Sequence, residues 1–269
     1  GLRAFIREDF PMLSGTFADA NGKNILDAFL DKSESLVKGP WVEVRLPFRK
    51  APDDVQLPFT HLNLAQMQLP HPYEHQRRAF ERLQHTHPET TIVATGTGSG
   101  KTECFLYPII DYCLANRKKG IKAILIYPMN ALAADQSRRV AALLHKVREL
   151  TGKAITAGIY TGDDTVPVMK MSSTGIINDR FTLRANPPDI LLTNYKMLDF
   201  LLIRKEDQAL WKNNGLGVMK YLVVDELHTF DGAQGTDLAC LVRRLKERLK
   251  LGNSLACVGT SATIGGKDS

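Results

Sequence analysis

The sequence predicts an α/β protein in which a parallel sheet is connected by crossover helices, preceded by an accessory N-terminal extension. Three observations carry that expectation. Short apolar runs alternate with helical patterns along most of the chain, the order that builds parallel sheets. The polar motifs fall where those runs end, at strand C-terminal ends, where open α/β sheets bind ligands. Between one run and the next helix lies Thr95-Gly96-Thr97-Gly98-Ser99-Gly100-Lys101-Thr102, a loop too rich in glycine for regular structure.

Taken in order, residues 1–70 form the extension. Ile25, Leu26 and Phe29 share a helical face, and Trp41–Leu46 alternates like a half-buried strand before Pro47 ends it. Residues 71–269 form the main domain. A helix begins at Pro72-Tyr73-Glu74 and continues through Leu83, and Thr91–Ala94 is the strand that enters the loop. The next helix runs through Leu114 toward Arg117-Lys118-Lys119-Gly120, read as a cationic last turn with a glycine stop. Ala123–Tyr127 reads as a buried parallel strand, and a helix from Pro128 to about Leu150 follows. Lys153–Tyr160 is the next strand, and residues 161–189 make a long irregular connection. Strand Asp189–Thr193, helix Tyr195–Ile203, strand Tyr221–Val224, helix 232–250 and strand Leu255–Gly259 complete the alternation.

Composition narrows the class. A hydrophobic share of 43% and a charged share of 24% over 269 residues are ordinary for a soluble globular protein, and no run reaches membrane-spanning length. The start is no signal peptide, and the four scattered cysteines show no C-x-x-C spacing. Reduced thiols in a cytoplasmic, bacterial setting are the default. The chain lacks an initiator methionine and stops at Gly-Gly-Lys-Asp-Ser, which is read as a fragment of something longer. The net charge of +6 resides on residues 71–269, since residues 1–70 are close to neutral. A nucleic-acid footprint is one reading of that excess, and a solvated surface is the commoner one.

The chemistry centres on the loop. Glycines 96, 98 and 100 let backbone N–H groups surround phosphate oxygens, with the following helix presenting its positive end. Lys101 would reach the β- and γ-phosphates of ATP, and the Thr102 hydroxyl would hold Mg²⁺. Asp225-Glu226, at the end of an apolar strand, supplies the other half. Asp225 would hold the ion, and Glu226 would orient and deprotonate the attacking water. By itself such a pair is a helix-start acidic turn; set beside Lys101-Thr102 it reads as a metal-and-water pair. Gln76, upstream of the loop, could read an adenine edge, because an amide offers both donor and acceptor.

The ordered set resembles the superfamily 2 helicases of the DExH-box type, over about residues 70–265. Thr95–Thr102 looks like motif I, Pro128–Leu132 motif Ia, Thr161-Gly162 motif Ib, Thr193-Asn194-Tyr195 motif Ic, Asp225–His228 motif II and Ser261-Ala262-Thr263 motif III. The phosphate-loop pattern asks for glycine where Thr95 stands, a departure that helicase-type loops often share. Tyr127–Gln136 and Asp225–Gly235 are similar to the bacterial mitomycin-repair type helicases, which resemble RecQ-like repair helicases and large helicases of phage-defence islands.

The resemblance implies a RecA-like P-loop NTPase fold, with helices on both faces of the sheet, that serves as the first motor domain. It implies that His228, Ser261 and Thr263 couple the nucleotide state to strand movement and to a second RecA-like domain. Pro128, Asn130, Thr161, Gly162, Thr193 and Asn194 would meet the phosphates of a single strand, with DNA favoured over RNA. Taken singly, each of these is an ordinary cap or turn residue. Arg138 and Arg139 are read as a solvated face. No second domain with its arginine finger follows motif III, so slow turnover is expected of this chain alone. The first hypothesis is therefore an ATP-dependent nucleic-acid helicase or translocase. The rival is a nucleotide-gated clamp or remodeller that hydrolyses ATP without separating strands, and a silent binding module is a third reading that the intact Lys101, Thr102, Asp225 and Glu226 oppose.

Overall fold

The computed structural model describes residues 47–52, 55–67, 71–162 and 166–262. The expected helix around Asn24–Leu30, the expected strand Trp41–Leu46 and the coupling residue Thr263 lie outside the described residues. From Phe48 onward the chain belongs to one compact unit.

Six four- to six-residue strands form a single parallel sheet: β1 (Thr91–Ala94), β2 (Ala123–Ile126), β3 (Ala157–Tyr160), β4 (Ile190–Thr193), β5 (Tyr221–Val224) and β6 (Ala256–Ser261). Their spatial order is β1-β6-β5-β2-β4-β3. The helices are α1 (Glu74–Arg82), α2 (Lys101–Ala115), α3 (Asn130–Thr151), α4 (Arg180–Ala185), α5 (Tyr195–Ile203) and α6 (Gly232–Arg248). Strands β2, β4 and β5 are apolar at nearly every position because both sheet faces are covered. On one face Leu125, Leu192 and Val223 pack against Phe80 of α1, Phe105 and Ile109 of α2, and Val140 and Leu144 of α3. On the other, Ile124, Leu191 and Val224 meet Leu198 and Leu201 of α5 and Leu238 and Leu245 of α6. Among the described residues no helix is long and apolar enough to cross a membrane.

Two buried charges fasten the outlying segments. Asp111 on α2 accepts the backbone N–H groups of His61 (2.7 Å) and Leu62 (2.9 Å) through Oδ1, which clips the segment before α1 onto the core. Lys122 at the start of β2 donates to Asp189 Oδ1 at 2.6 Å, and Asp189 Oδ2 takes the Thr156 N–H at 2.7 Å. That cluster ties β2, β3 and β4 together at the end of the sheet opposite the loops that carry the motifs.

Several boundaries differ from the sequence reading for identifiable reasons. Helix α2 ends at Ala115, and Asn116 turns extended, with its amide bonded to the Tyr112 hydroxyl at 2.7 Å. The basic run 117–119 therefore lies beyond the helix rather than in its last turn. Strand β3 starts at Ala157, not Lys153, and β6 runs on through Thr260 and Ser261, which are ladder residues paired with Val93 and Ala94 of β1. The connection 161–189 holds the short helix α4, whose cap Asp179 accepts from Thr182 N at 2.7 Å, and Ile177 bridges Gly158 beside β3.

Candidate nucleotide-binding site

The register of the sheet sets the site. Ala94 lies opposite Ser261, Gly259 opposite Val224, and Val224 opposite Ile126, so Thr95, Asp225 and Tyr127 leave the same rim. The phosphate loop spans β1 and α2. Its start is held by Thr95 N–H donating to Ser261 O at 3.2 Å and by a hydrogen bond shared between the Thr95 and Ser99 hydroxyls at 2.6 Å. Gly100 caps α2 in the left-handed region at φ 77°, a conformation glycine adopts without penalty. A Cβ there would also stand 2.3 Å from Gln76 Nε2.

Gln76 is buried, with Oε1 taking the Tyr73 N–H at 2.9 Å and Nε2 donating to Gly100 O at 3.2 Å. Its amide thus braces α1 against the loop. His75 adds a second brace, its Nε2 lying 2.9 Å from Ser99 O. Burial lowers the His75 pKa, against the raising effect of that carbonyl, and the nearby Lys101 charge lowers it further. The imidazole is therefore a neutral donor near pH 7.

Lys101 Nζ donates to the carbonyls of Thr95 (3.1 Å) and Gly96 (3.2 Å), folded over the loop it serves. Facing it across a cleft of about 500 Å³ stand Asp225 and Glu226. The Thr260 hydroxyl donates to Asp225 Oδ1 and accepts the Glu226 N–H at 3.3 Å, so one buried threonine orients both acidic residues. Glu226 turns the chain at φ 49°, an uncommon conformation for a residue with a side chain, and the strain is held by that double contact. His228 Nδ1 stands 3.3 Å from Glu226 Oε2, but its hydrogen bond is shared with Ser261 Oγ at 3.1 Å. Glu226 Oε2 is left buried with no hydrogen-bond partner.

Thr260 is the site residue that the sequence reading missed. The signal was available: β5 and β6 lie side by side in parallel, and Asp225 follows Val224, which is paired with Gly259.

The donor set suits a hydrated magnesium ion. Among the described residues no cluster of three or more His, Cys, Asp or Glu side chains could hold a metal. Magnesium needs no such cage, since it keeps several waters and takes one or two carboxylates together with substrate phosphates. Glu226 Oε2, which has no hydrogen-bond partner in the chain and only the His228 imidazole 3.3 Å away, is an acceptor beside Asp225 of the kind that a metal-bound water needs.

The remaining candidates line the other half of the rim, above β2, β4 and β3. Asn194 caps α5, accepting from Met197 N at 2.7 Å, and its amide donates to Asn130 Oδ1 at 2.7 Å. Pro128 and Thr161 are half-buried and Gly162 is exposed beside them. Thr193 departs from the expectation. Its side chain is fully buried and its hydroxyl donates to Tyr160 O at 2.7 Å, so it ties β4 to β3 and cannot meet a phosphate.

The profile of the DEAD/DEAH box helicase family matches residues 73–269. The chain is 25% identical to the Druantia protein DruE of Escherichia coli, across 88% of this chain and 19% of that protein. It is 33% identical to an uncharacterized ATP-dependent helicase of Methanocaldococcus jannaschii, across 71% of this chain and 26% of that one. Among solved structures, the DUF1998 helicase MrfA bound to DNA and AMPPNP superposes with a TM-score of 0.63 at 27% identity, covering 81% of this chain and 28% of that one. The chain therefore spans between about a fifth and a little over a quarter of the length of these relatives.

Proposed function

This chain belongs to the DEAD/DEAH box helicase family, and from that premise we propose that it is the ATP-binding motor domain of an ATP-dependent helicase or translocase, with DNA favoured over RNA. The observation that carries the reading is the convergence of Lys101 and Thr102 with Asp225 and Glu226 on one cleft, with Glu226 Oε2 buried and lacking a hydrogen-bond partner in the chain.

Thr102 and Asp225 would hold the magnesium ion of the bound nucleotide, which when present neutralises charge on the β- and γ-phosphates. Lys101 would exchange its two loop carbonyls for phosphate oxygens, and the N–H groups from Thr97 to Lys101 would line the phosphate path. Glu226 Oε2 would take the proton of the attacking water, and Thr260 would hold Glu226 and Asp225 in register while it does so. Through the His228–Ser261 hydrogen bond, a change at Glu226 reaches the strand that carries motif III. Pro128, Asn130, Thr161, Gly162 and Asn194 would form the nucleic-acid rim. A second RecA-like domain supplied by the longer protein would close the site. The MrfA structure, holding DNA and AMPPNP together, supports a motor that binds both.

The test is ATP turnover by the full-length protein with single-stranded DNA, single-stranded RNA or neither, for wild type and Glu226→Gln. Turnover raised by DNA and reduced about 10²- to 10⁴-fold in the variant is expected. No stimulation by either polymer, or an active variant, would refute the assignment.

A further inference from the structure

The connection expected to be irregular builds a wall beside β3. Ile177 donates its N–H to Ala157 O at 3.2 Å, and its carbonyl accepts the Ile159 N–H at 2.8 Å. The Asn178 side chain accepts the Val168 N–H and donates to Val166 O at 3.0 Å, which folds residues 166–168 back on it. Between this wall and the first half of α3 lies a cavity of about 310 Å³. Arg138 of α3 and Arg180 of α4 both line it, together with Asn130 and Thr161 of the nucleic-acid rim. Among the described residues no Asp or Glu lines it.

Neither arginine serves the helix that carries it. Arg180 is the first residue of α4, where the helix dipole disfavours a cation, and Arg138 lies inside α3, remote from the C-terminal turn that favours one. Both are exposed, and among the described residues neither forms an ion pair. The Asp179 carboxylate, next to Arg180 in the chain, is turned to Thr182, accepting its N–H at 2.7 Å and its hydroxyl at 2.6 Å. The Arg180 guanidinium stands 5.8 Å from the centre of the Tyr160 ring, a contact that leaves its N–H donors unspent. That ring is fixed, because the Tyr160 hydroxyl donates to the buried Asp207 at 2.8 Å. A solvated face would account for Arg138 alone, but not for a second arginine brought to the same cavity from another helix. Two cations there repel each other, and an anion between them reverses the sign. A backbone phosphodiester fits that requirement, since the rim residues Asn130 and Thr161 share the cavity.

We propose that Arg138 and Arg180 form a phosphate clamp that carries the bound single strand past Asn130 and Thr161 and along β3, with residues 166–180 as its outer wall. This rests on the nucleic-acid reading of the rim given above. It makes the wall segment, which belongs to none of the helicase-like motifs, part of the strand-binding surface.

The experiment is equilibrium binding of fluorescent single-stranded DNA to the full-length protein over a series of salt concentrations, for wild type, R138A, R180A, R138A/R180A and R138K/R180K. Each lost phosphate contact removes about 0.7 from the slope of log affinity against log salt, which is about fourfold in affinity near 0.15 M. R138A and R180A should each bind about fourfold more weakly, and the double alanine variant about four- to fifteenfold, with its salt slope reduced. The double lysine variant should stay near wild type, and all five proteins should bind fluorescent ATP equally. The losses should be the same on an abasic strand of equal length, because the clamp meets the backbone, and inorganic phosphate at matched ionic strength should not displace the strand. An unchanged salt slope in the double alanine variant, a loss confined to one arginine, or losses that vanish on the abasic strand would overturn the proposal. So would displacement of the strand by inorganic phosphate, or an equal fall in ATP binding. A wild type that binds no strand would overturn the rim reading itself, and the clamp with it.

Discussion

Replacing Gly100 by alanine tests the architecture of the phosphate loop at its tightest point. At φ 77° an alanine pays about 1 to 2 kcal/mol for the left-handed backbone. Its Cβ would also meet Gln76 Nε2 at 2.3 Å. A flexible amide could swing aside in solution, but Gln76 is buried and makes hydrogen bonds to Tyr73 N–H and Gly100 O. Displacing it forfeits both, at about 1 kcal/mol each. The expected total is about 3 to 4 kcal/mol, or a fall in Tm of roughly 6 to 16 °C. Gly98→Ala is the control: its φ is 75°, but nothing lies within 4 Å of its Cβ, so only the backbone term remains. Urea denaturation of the two variants, each also made in a Gln76→Ala background, separates the terms. Equal costs for Gly98→Ala and Gly100→Ala in the wild-type background would refute the claim that Gln76 makes the difference.

Thr260→Val keeps the shape of the side chain but removes the hydroxyl shared by Asp225 and Glu226. It should cost about 1 to 3 kcal/mol in denaturation and raise the magnesium concentration needed for half-maximal nucleotide binding. Because the folded-state pKa of His75 lies below its ordinary 6.5, the unfolded chain takes up the proton first on acidification. Its contribution is complete above pH 6.5 and is lost as pH falls through 6.5 toward the folded value; urea midpoints at pH 7.5 and 5.5 should converge in His75→Gln relative to wild type. Asp207 is fully buried, bonded to Arg184 Nε at 2.8 Å and to the Tyr160 hydroxyl at 2.8 Å. Removing its carboxylate in Asp207→Ala should cost about 3 kcal/mol or more in the same assay, since Arg184 is left poorly paired.

The parts of this molecule written in contiguous residues were legible in the amino-acid order alone. The phosphate loop and the Asp225-Glu226 pair announce themselves because glycine spacing and an acidic strand end are local signals. Asp179, a cap three residues before Thr182, was equally local and could have revealed α4 inside the connection assigned as irregular. What sequence pattern cannot supply is direction across the sheet. Thr193 and Asn194 are neighbours in one motif, yet the first points into the core and the second caps a helix at the rim. Thr260 reaches Asp225 and Glu226 only through the pairing of β5 with β6. Gln76 was recognisable as special, but its bonds to Tyr73 and Gly100 depend on how α1 meets the loop.

The strand order also sets a timetable for biosynthesis. Among the described residues, strand β1 lies at the sheet edge and pairs only with β6, the last strand. A ribosome adding about 5 to 20 residues per second would leave β1 without its neighbour for roughly ten to thirty seconds. During that interval β2, β3 and β4 can already associate, while the two halves of the nucleotide cleft wait on opposite sides of them in the chain. Ligand therefore cannot assist the early folding of the nascent polypeptide, and β1, with its exposed Ile92, is the segment that a chaperone would have to shield.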